Sequence, residues 1–225
     1  MKYFVANWKA HKDVEAAEQW MHTFSQLLKE DTKVSQALTD GTIAVVICPP
    51  YPLLNIVREL LPSYPNISVG AQDISAYDEG DITGEVAGAS LKGLVDTVIV
   101  GHSARRNTLK EDYQELSRKC AMAQKYGLKI LFCVRGEQDR IPTGVAFVAY
   151  EPVNFIGTGD TQSLEEILSV KKGLPLPPET LFLYGAGVTQ KSMGELLSSA
   201  EISGLLIGSA SLDPSEFYEI LVAAC

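Results

Sequence analysis

Val145-Ala-Phe-Val-Ala-Tyr-Glu-Pro-Val-Asn-Phe-Ile-Gly-Thr-Gly159 is the stretch from which the fold is read. An apolar run, Val145 to Tyr150, ends in Glu151 and Pro152, and an apolar run bounded by turn residues reads as a buried strand. A carboxylate at the exit of such a strand costs free energy unless it is paired or used. Gly157 and Gly159 give the following loop the conformational freedom a hinge requires. The stretch therefore reads as a base at the end of a strand with a mobile lid behind it.

Working outward, the same grammar repeats. Lys2 to Lys9, Ile43 to Cys48, Ile67 to Ala71, Thr97 to Val100 and Lys129 to Val134 read as five strands before this one, and Leu181 to Tyr184 and Gly204 to Ile207 as two after it. Between them lie helical patterns. Asp13 caps a helix to about Lys29 with Val14, Ala17, Met21, Phe24, Leu27 and Leu28 on one face. Further helices are expected over Leu53 to Leu61, Glu111 to Tyr126, Leu164 to Lys172, Lys191 to Ser198 and Pro214 to Ala223. Ser163-x-x-Glu166 fits a capping box, and Pro214 fits a first helical turn. Eight strands alternating with helices, with no linker or low-complexity tract, indicate one α/β domain over residues 1–225, a (β/α)8 barrel. The runner-up is an open doubly wound sheet, disfavoured because no GxGxxG follows the first strand. The link between strands five and six is too short for a full crossover helix. Either that helix is trimmed to a turn or a strand is misplaced.

A net charge of −9 leaves no basic surplus to neutralise nucleic-acid phosphates. A small anionic ligand remains compatible with it. No apolar run approaches membrane-spanning length, and the N-terminal one is too short for a signal peptide. The cysteines at 48, 120, 133 and 225 show no metal-ligand spacing. Cys48 and Cys133 lie in strand-like runs and are expected as buried free thiols, which fits a reducing, cytoplasmic setting.

In a closed parallel barrel the active site forms at the carboxyl ends of the strands. Those ends offer Asn7 and Lys9, on one side by period-two alternation, then Gln72, then Gly101-His102-Ser103, and Glu151. Gly185-Ala186-Gly187 and Gly208-Ser209 follow the last two strands. Taken singly, each has a bland reading. A lone histidine is more often structural, a lone lysine is a solvated surface residue, and Gly-x-Gly is common in turns. Their joint placement at strand ends points instead to an anionic substrate undergoing proton transfer, with glycine loops that let backbone N–H groups approach a phosphate.

Asn7-Trp8-Lys9, Val100-Gly-His-Ser103 with Arg105-Arg106, Ala149-Tyr-Glu-Pro-Val153 with Ile156-Gly-Thr-Gly159, Tyr184-Gly185, and Leu205 to Leu212 together resemble the triosephosphate isomerase family, in order and over essentially the whole chain. Gln72 and Thr83-Gly84-Glu85 match as well. The resemblance implies interconversion of dihydroxyacetone phosphate and glyceraldehyde 3-phosphate without metal or organic cofactor. It assigns Glu151 as the base, His102 as the group polarising the carbonyl, Lys9 as the charge offsetting the developing anion, and Asn7 as a substrate-orienting residue. It places the phosphate on backbone amides near Gly157, Gly187, Gly208 and Ser209, under a lid over residues 152–159. It further implies a homodimer through the 72–85 loop, with Thr83 in contact with the partner. The competing class is a catalytically weakened relative that binds sugar phosphates or acts as an interaction protein; a binder has no need of a base.

Several positions depart from the family pattern. Ala104 stands where the family has a glutamate that pairs with the active-site lysine, Asn154 replaces a tryptophan, and Phe155 replaces a small residue. Gly187 occupies a phosphate-binding serine position, Ser209 replaces the second glycine of a pair, and Lys110 replaces a glycine. Glu111 matches a second family glutamate, expected as a structural partner for an arginine.

Overall fold

The computed structural model describes residues 1–225. Eight parallel strands pair in sequence order, and the eighth closes on the first. They are β1 (Lys2–Asn7), β2 (Ile43–Cys48), β3 (Ile67–Ala71), β4 (Thr97–Val100), β5 (Lys129–Val134), β6 (Phe147–Tyr150), β7 (Leu181–Tyr184) and β8 (Gly204–Ile207). The helices are α1 (Val14–Glu30), α2 (Thr32–Asp40), α3 (Leu54–Glu59), α4 (Gly88–Leu91), α5 (Ser103–Thr108), α6 (Tyr113–Lys125), α7 (Leu164–Gly173), α8 (Gln190–Ser198) and α9 (Pro214–Ala224). No helix is long and apolar enough to cross a membrane.

Strand residues alternate between two apolar environments, so both faces of every strand are buried. Val5, Val46, Ile99, Leu131, Leu183 and Leu206 fill the barrel interior, while Phe4, Val45, Val98, Phe132, Phe182 and Leu205 face the helices. The two ends of the chain meet on the outside. Trp20 and Phe24 of α1 pack against Phe217 of α9, with ring centroids 6.0 and 5.9 Å apart. Trp20, absent from the helical face read in the sequence, is buried, whereas Val14 at the first helical position is 52% exposed.

Local start signals operate as read. Asp13 accepts the Ala16 N–H at 2.9 Å, Ser163 and Glu166 form a reciprocal capping box, and Pro214 occupies the first turn of α9. The differences are instructive. β1 stops at Asn7 because Lys9 takes a left-handed conformation (φ 52°), and β6 starts at Phe147, after the left-handed turn at Gly144. α2 carries its own signals, since the Asp31 side chain accepts the Lys33 N–H at 2.9 Å and Gly41 (φ 79°) ends the helix. α4 and α5 are too short for a helical period to register.

No helix joins β5 to β6. The crossover is trimmed to turns, and α6 covers the gap: Arg140 stacks over the Tyr113 ring at 4.2 Å, and the Gln124 amide donates to the Thr143 carbonyl. Val145 of this connection belongs to the core, and Ile141 packs against it.

Candidate active site

β1 delivers Asn7, 3% exposed, to the carboxyl end of the barrel. Its Oδ1 accepts the N–H of Lys9 at 3.0 Å, and the Gln72 amide donates to the Lys9 carbonyl at 2.8 Å and to the Cys48 carbonyl at 2.9 Å. These bonds hold Lys9 in its left-handed backbone, which for a residue with a side chain is strained. The side chain then runs toward β8. Its Nζ lies 3.3 Å from where a Cβ would stand at Gly208, so a larger residue there would crowd the ammonium.

β4 ends in the left-handed Gly101 (φ 75°), and the chain turns so that His102 caps α5. Its Nδ1 accepts the Ala104 N–H at 3.2 Å. That nitrogen therefore carries no proton, and Nε2 carries the ring's N–H. His102 Nε2 lies 3.1 Å from Glu151 Oε1, and the Ser103 N–H donates to Glu151 Oε2 at 2.9 Å. Glu151 is 1% exposed, under Gly185, whose missing side chain leaves room for the glutamate Cγ. Burial pushes its carboxyl up, but the hydrogen bonds from His102, the Ser103 N–H and the Cys133 thiol outweigh burial and hold it below its ordinary value. A carboxyl held below its ordinary value is an ionised carboxylate at neutral pH.

Lys9 borders two hollows. A cavity of about 310 Å³ is lined by Gly157, Gly187, Gly208 and Ser209, together with Lys9 and Glu216. A second, of about 420 Å³, is lined by Asn7, Lys9, Gln72, His102, Ala104 and Arg105. The structure thus gathers the four backbone positions expected to hold phosphate around one lysine, and places Asn7 and His102 on that lysine's other side. Thr83 lies apart from both, in an exposed segment that also exposes Tyr77 and Ile82.

The departures from the family pattern acquire physical content here. Gly187 (φ 60°) cannot be a serine in this backbone, because a Cβ would stand 1.8 Å from the Asp160 carbonyl oxygen at the end of the lid. Ser209 does not lie in the left-handed region, so its side chain is tolerated. Lys110 keeps the left-handed conformation (φ 61°) that suits a glycine. In the lid, Val153 to Phe155 form a 3-10 turn, with Phe155 packed on the core and Asn154 exposed. Ala104 is exposed on α5, and Lys9 forms no ion pair with any other carboxylate. Glu111 accepts from Arg105 Nε at 2.6 Å and from Lys119 Nζ at 2.6 Å.

Three features escaped the sequence reading. The Ser103 anchor is a backbone N–H, which no side-chain pattern reveals. The Cys133 thiol was placed only as a buried core group, not beside Glu151. Glu216, a carboxylate at the edge of the glycine-lined cavity, gave no signal beyond its place in the first turn of a capped helix.

A family model described as triosephosphate isomerase matches residues 2–144 and 140–224. The match divides at the shortened β5–β6 connection. Proteins named triosephosphate isomerase are similar along nearly the full chain. One from Mesomycoplasma hyopneumoniae strain 232 is 33% identical over 98% of each chain. One from a Synechococcus species is 32% identical over 96% of this chain and 94% of its own. Another, from Alkalilimnicola ehrlichii, is 34% identical over 92% and 97%.

Proposed function

The chain belongs to the triosephosphate isomerase family, and we infer that it interconverts dihydroxyacetone phosphate and D-glyceraldehyde 3-phosphate, the aldose–ketose isomerisation of glycolysis and gluconeogenesis. The observation that carries this reading is the carboxylate of Glu151 facing His102 Nε2–H at 3.1 Å, where His102 shares a hollow with Lys9 and Lys9 borders a second, glycine-lined one. Glu151 removes a proton from the carbon next to the carbonyl and returns it to the neighbouring carbon. His102, as the neutral tautomer, donates its Nε2–H to the substrate oxygens, so the intermediate is an enediol or enediolate. To do so Glu151 exchanges its bonds to Ser103 and His102 for the substrate. Lys9 offsets the negative charge that develops on oxygen, and Asn7 orients that oxygen. Amides near Gly157, Gly187, Gly208 and Ser209 take the phosphate, and residues 152–159 close over it to exclude water. The scheme calls on no metal or organic cofactor.

Residues 1–225 act in this reading as one domain. Free thiols at Cys48, Cys120 and Cys133 suit a reducing cytoplasm. Residues 77–85 of the 72–85 loop are exposed, with Tyr77 50% and Ile82 39% exposed, and are the surface through which a homodimer would form, with Thr83 touching the partner. A coupled assay of triose phosphate interconversion, run on the wild type beside Glu151→Gln, tests the activity. Wild-type turnover and a loss of about 10³-fold in the variant are expected. No wild-type turnover with intact phosphate binding would leave a sugar-phosphate binder instead. Solution mass at micromolar concentration tests the dimer, and a monomer would remove it.

A further inference from the structure

Arg106 and Asp139 form the best-defined ion pair outside the site. Arg106 Nη1 donates to Asp139 Oδ2 at 2.7 Å and Nη2 to Oδ1 at 2.8 Å, a two-pronged match of guanidinium to carboxylate. Both side chains are largely buried, 9% and 14% exposed. The pair has further attachments. Arg106 Nη1 also reaches the Cys133 carbonyl at 3.3 Å, and Asp139 Oδ2 accepts the Arg135 N–H at 2.7 Å.

The position of the pair gives it meaning. Arg106 lies on α5, four residues after His102 and three after Ser103, so it is fixed to the segment that meets both oxygens of Glu151. Cys133 is the penultimate residue of β5, and the last, Val134, accepts the Glu151 N–H at 2.8 Å. Asp139 belongs to the connection that has lost its helix. A turn-rich segment without a helical hydrogen-bond ladder has little rigidity of its own. Here Asp139 is tied to α5 by two hydrogen bonds from Arg106 and to the first residue after β5 by the Arg135 N–H, while Arg106 itself reaches the β5 carbonyl of Cys133.

We propose that Asp139 is a positioning residue: through Arg106 it clamps α5 against the end of β5, and so fixes His102 and the Ser103 N–H relative to Glu151. The shortened connection thereby takes part in aligning the proton-transfer half of the site. The phosphate half, on the loops after β6, β7 and β8, stands outside its reach. The proposal rests on the isomerase reading, because its readout is turnover.

The test is steady-state kinetics of Asp139→Asn and Arg106→Lys, singly and combined, with inorganic phosphate as a competitive inhibitor. Asparagine keeps the shape but loses the charge, and lysine keeps the charge but loses the fork. Each single variant is expected to lower kcat by about 10- to 100-fold, the scale of a small misalignment of reacting groups. KM and phosphate inhibition should stay within about twofold, and the double variant should be little worse than either single one. Asp139→Glu should recover part of the lost kcat. An unchanged kcat in a folded variant overturns the proposal. So does a parallel loss of kcat and phosphate affinity, which would mark a general loosening of the fold. Should Asp139→Asn fail to fold, Arg106→Lys carries the same comparison. A wild type without turnover would overturn the isomerase reading itself, an outcome distinct from all of these.

Discussion

Lys119 is 2% exposed and meets the carboxylates of Asp73 and Glu111 at 2.6 Å each, whereas Lys9 is half-buried and meets none. Arg105 joins the first group, reaching Asp73 at 2.8 Å and Glu111 at 2.6 Å. Two cations thus share two carboxylates in a cluster whose lysine and acids are buried and whose arginine borders the second hollow. The cluster is not fully relaxed. Burial pushes the Asp73 carboxyl up to about 6 against the pull of Lys119 and Arg105, and one oxygen each of Asp73 and Glu111 has no hydrogen-bond partner. Its role fits architecture, since it joins the start of the 72–85 loop to α5 and α6. Around Lys9 the opposite choice is made. The backbone is anchored by Asn7 and Gln72, while the ammonium forms no ion pair and borders a glycine-lined cavity that Glu216 also borders. The first lysine is neutralised within the fold; the second, in the proposed reaction, is left for the substrate to neutralise.

That contrast can be broken from either side. The largest effect is expected for Lys119→Met, which strands two buried carboxylates and should lower the unfolding free energy by about 3–5 kcal/mol in urea titrations. A loss below about 1 kcal/mol would mean that Arg105 alone suffices for both acids. Next comes Lys9→Met, expected to leave stability nearly unchanged while lowering kcat by about 10²- to 10³-fold. Equal stability losses for the two lysines would erase the distinction between them. The smallest effect is expected for Ala104→Glu. Because the Lys9 main chain is already fixed by hydrogen bonds, restoring the acid should change kcat by less than about threefold. A gain above about tenfold, some 1.4 kcal/mol of barrier, would show that Lys9 is poorly placed without it.

Legibility followed the range of the interaction. All eight strands could be read because each is a short apolar run closed by Gly, Pro or charged residues. The capped helices were readable because Asp13, Ser163 and Pro214 act within one turn of themselves. α5 was not, since Ser103–Thr108 has no apolar period and is held by what surrounds it, including Arg106 on Asp139. In the site, the titratable groups could be named from strand ends. Their orientation could not. The Ser103 N–H on Glu151 and the Ala104 N–H on His102 are backbone contacts, and the crowding of Gly187 by Asp160 joins segments that the sequence keeps apart.

The sequence by itself determined the alternation, the order of the strands, the family and the groups gathered at the barrel mouth, because periodicity, turn chemistry and motif order are local properties of the chain. Only the tertiary structure decided how those groups are paired: Asp73 with Lys119, 46 residues away, Arg106 with Asp139, 33 away, and Lys9 with no acid at all. The physical reason is that an ion pair depends on separations of a few ångström between residues distant along the chain, and those separations exist only once the barrel has closed.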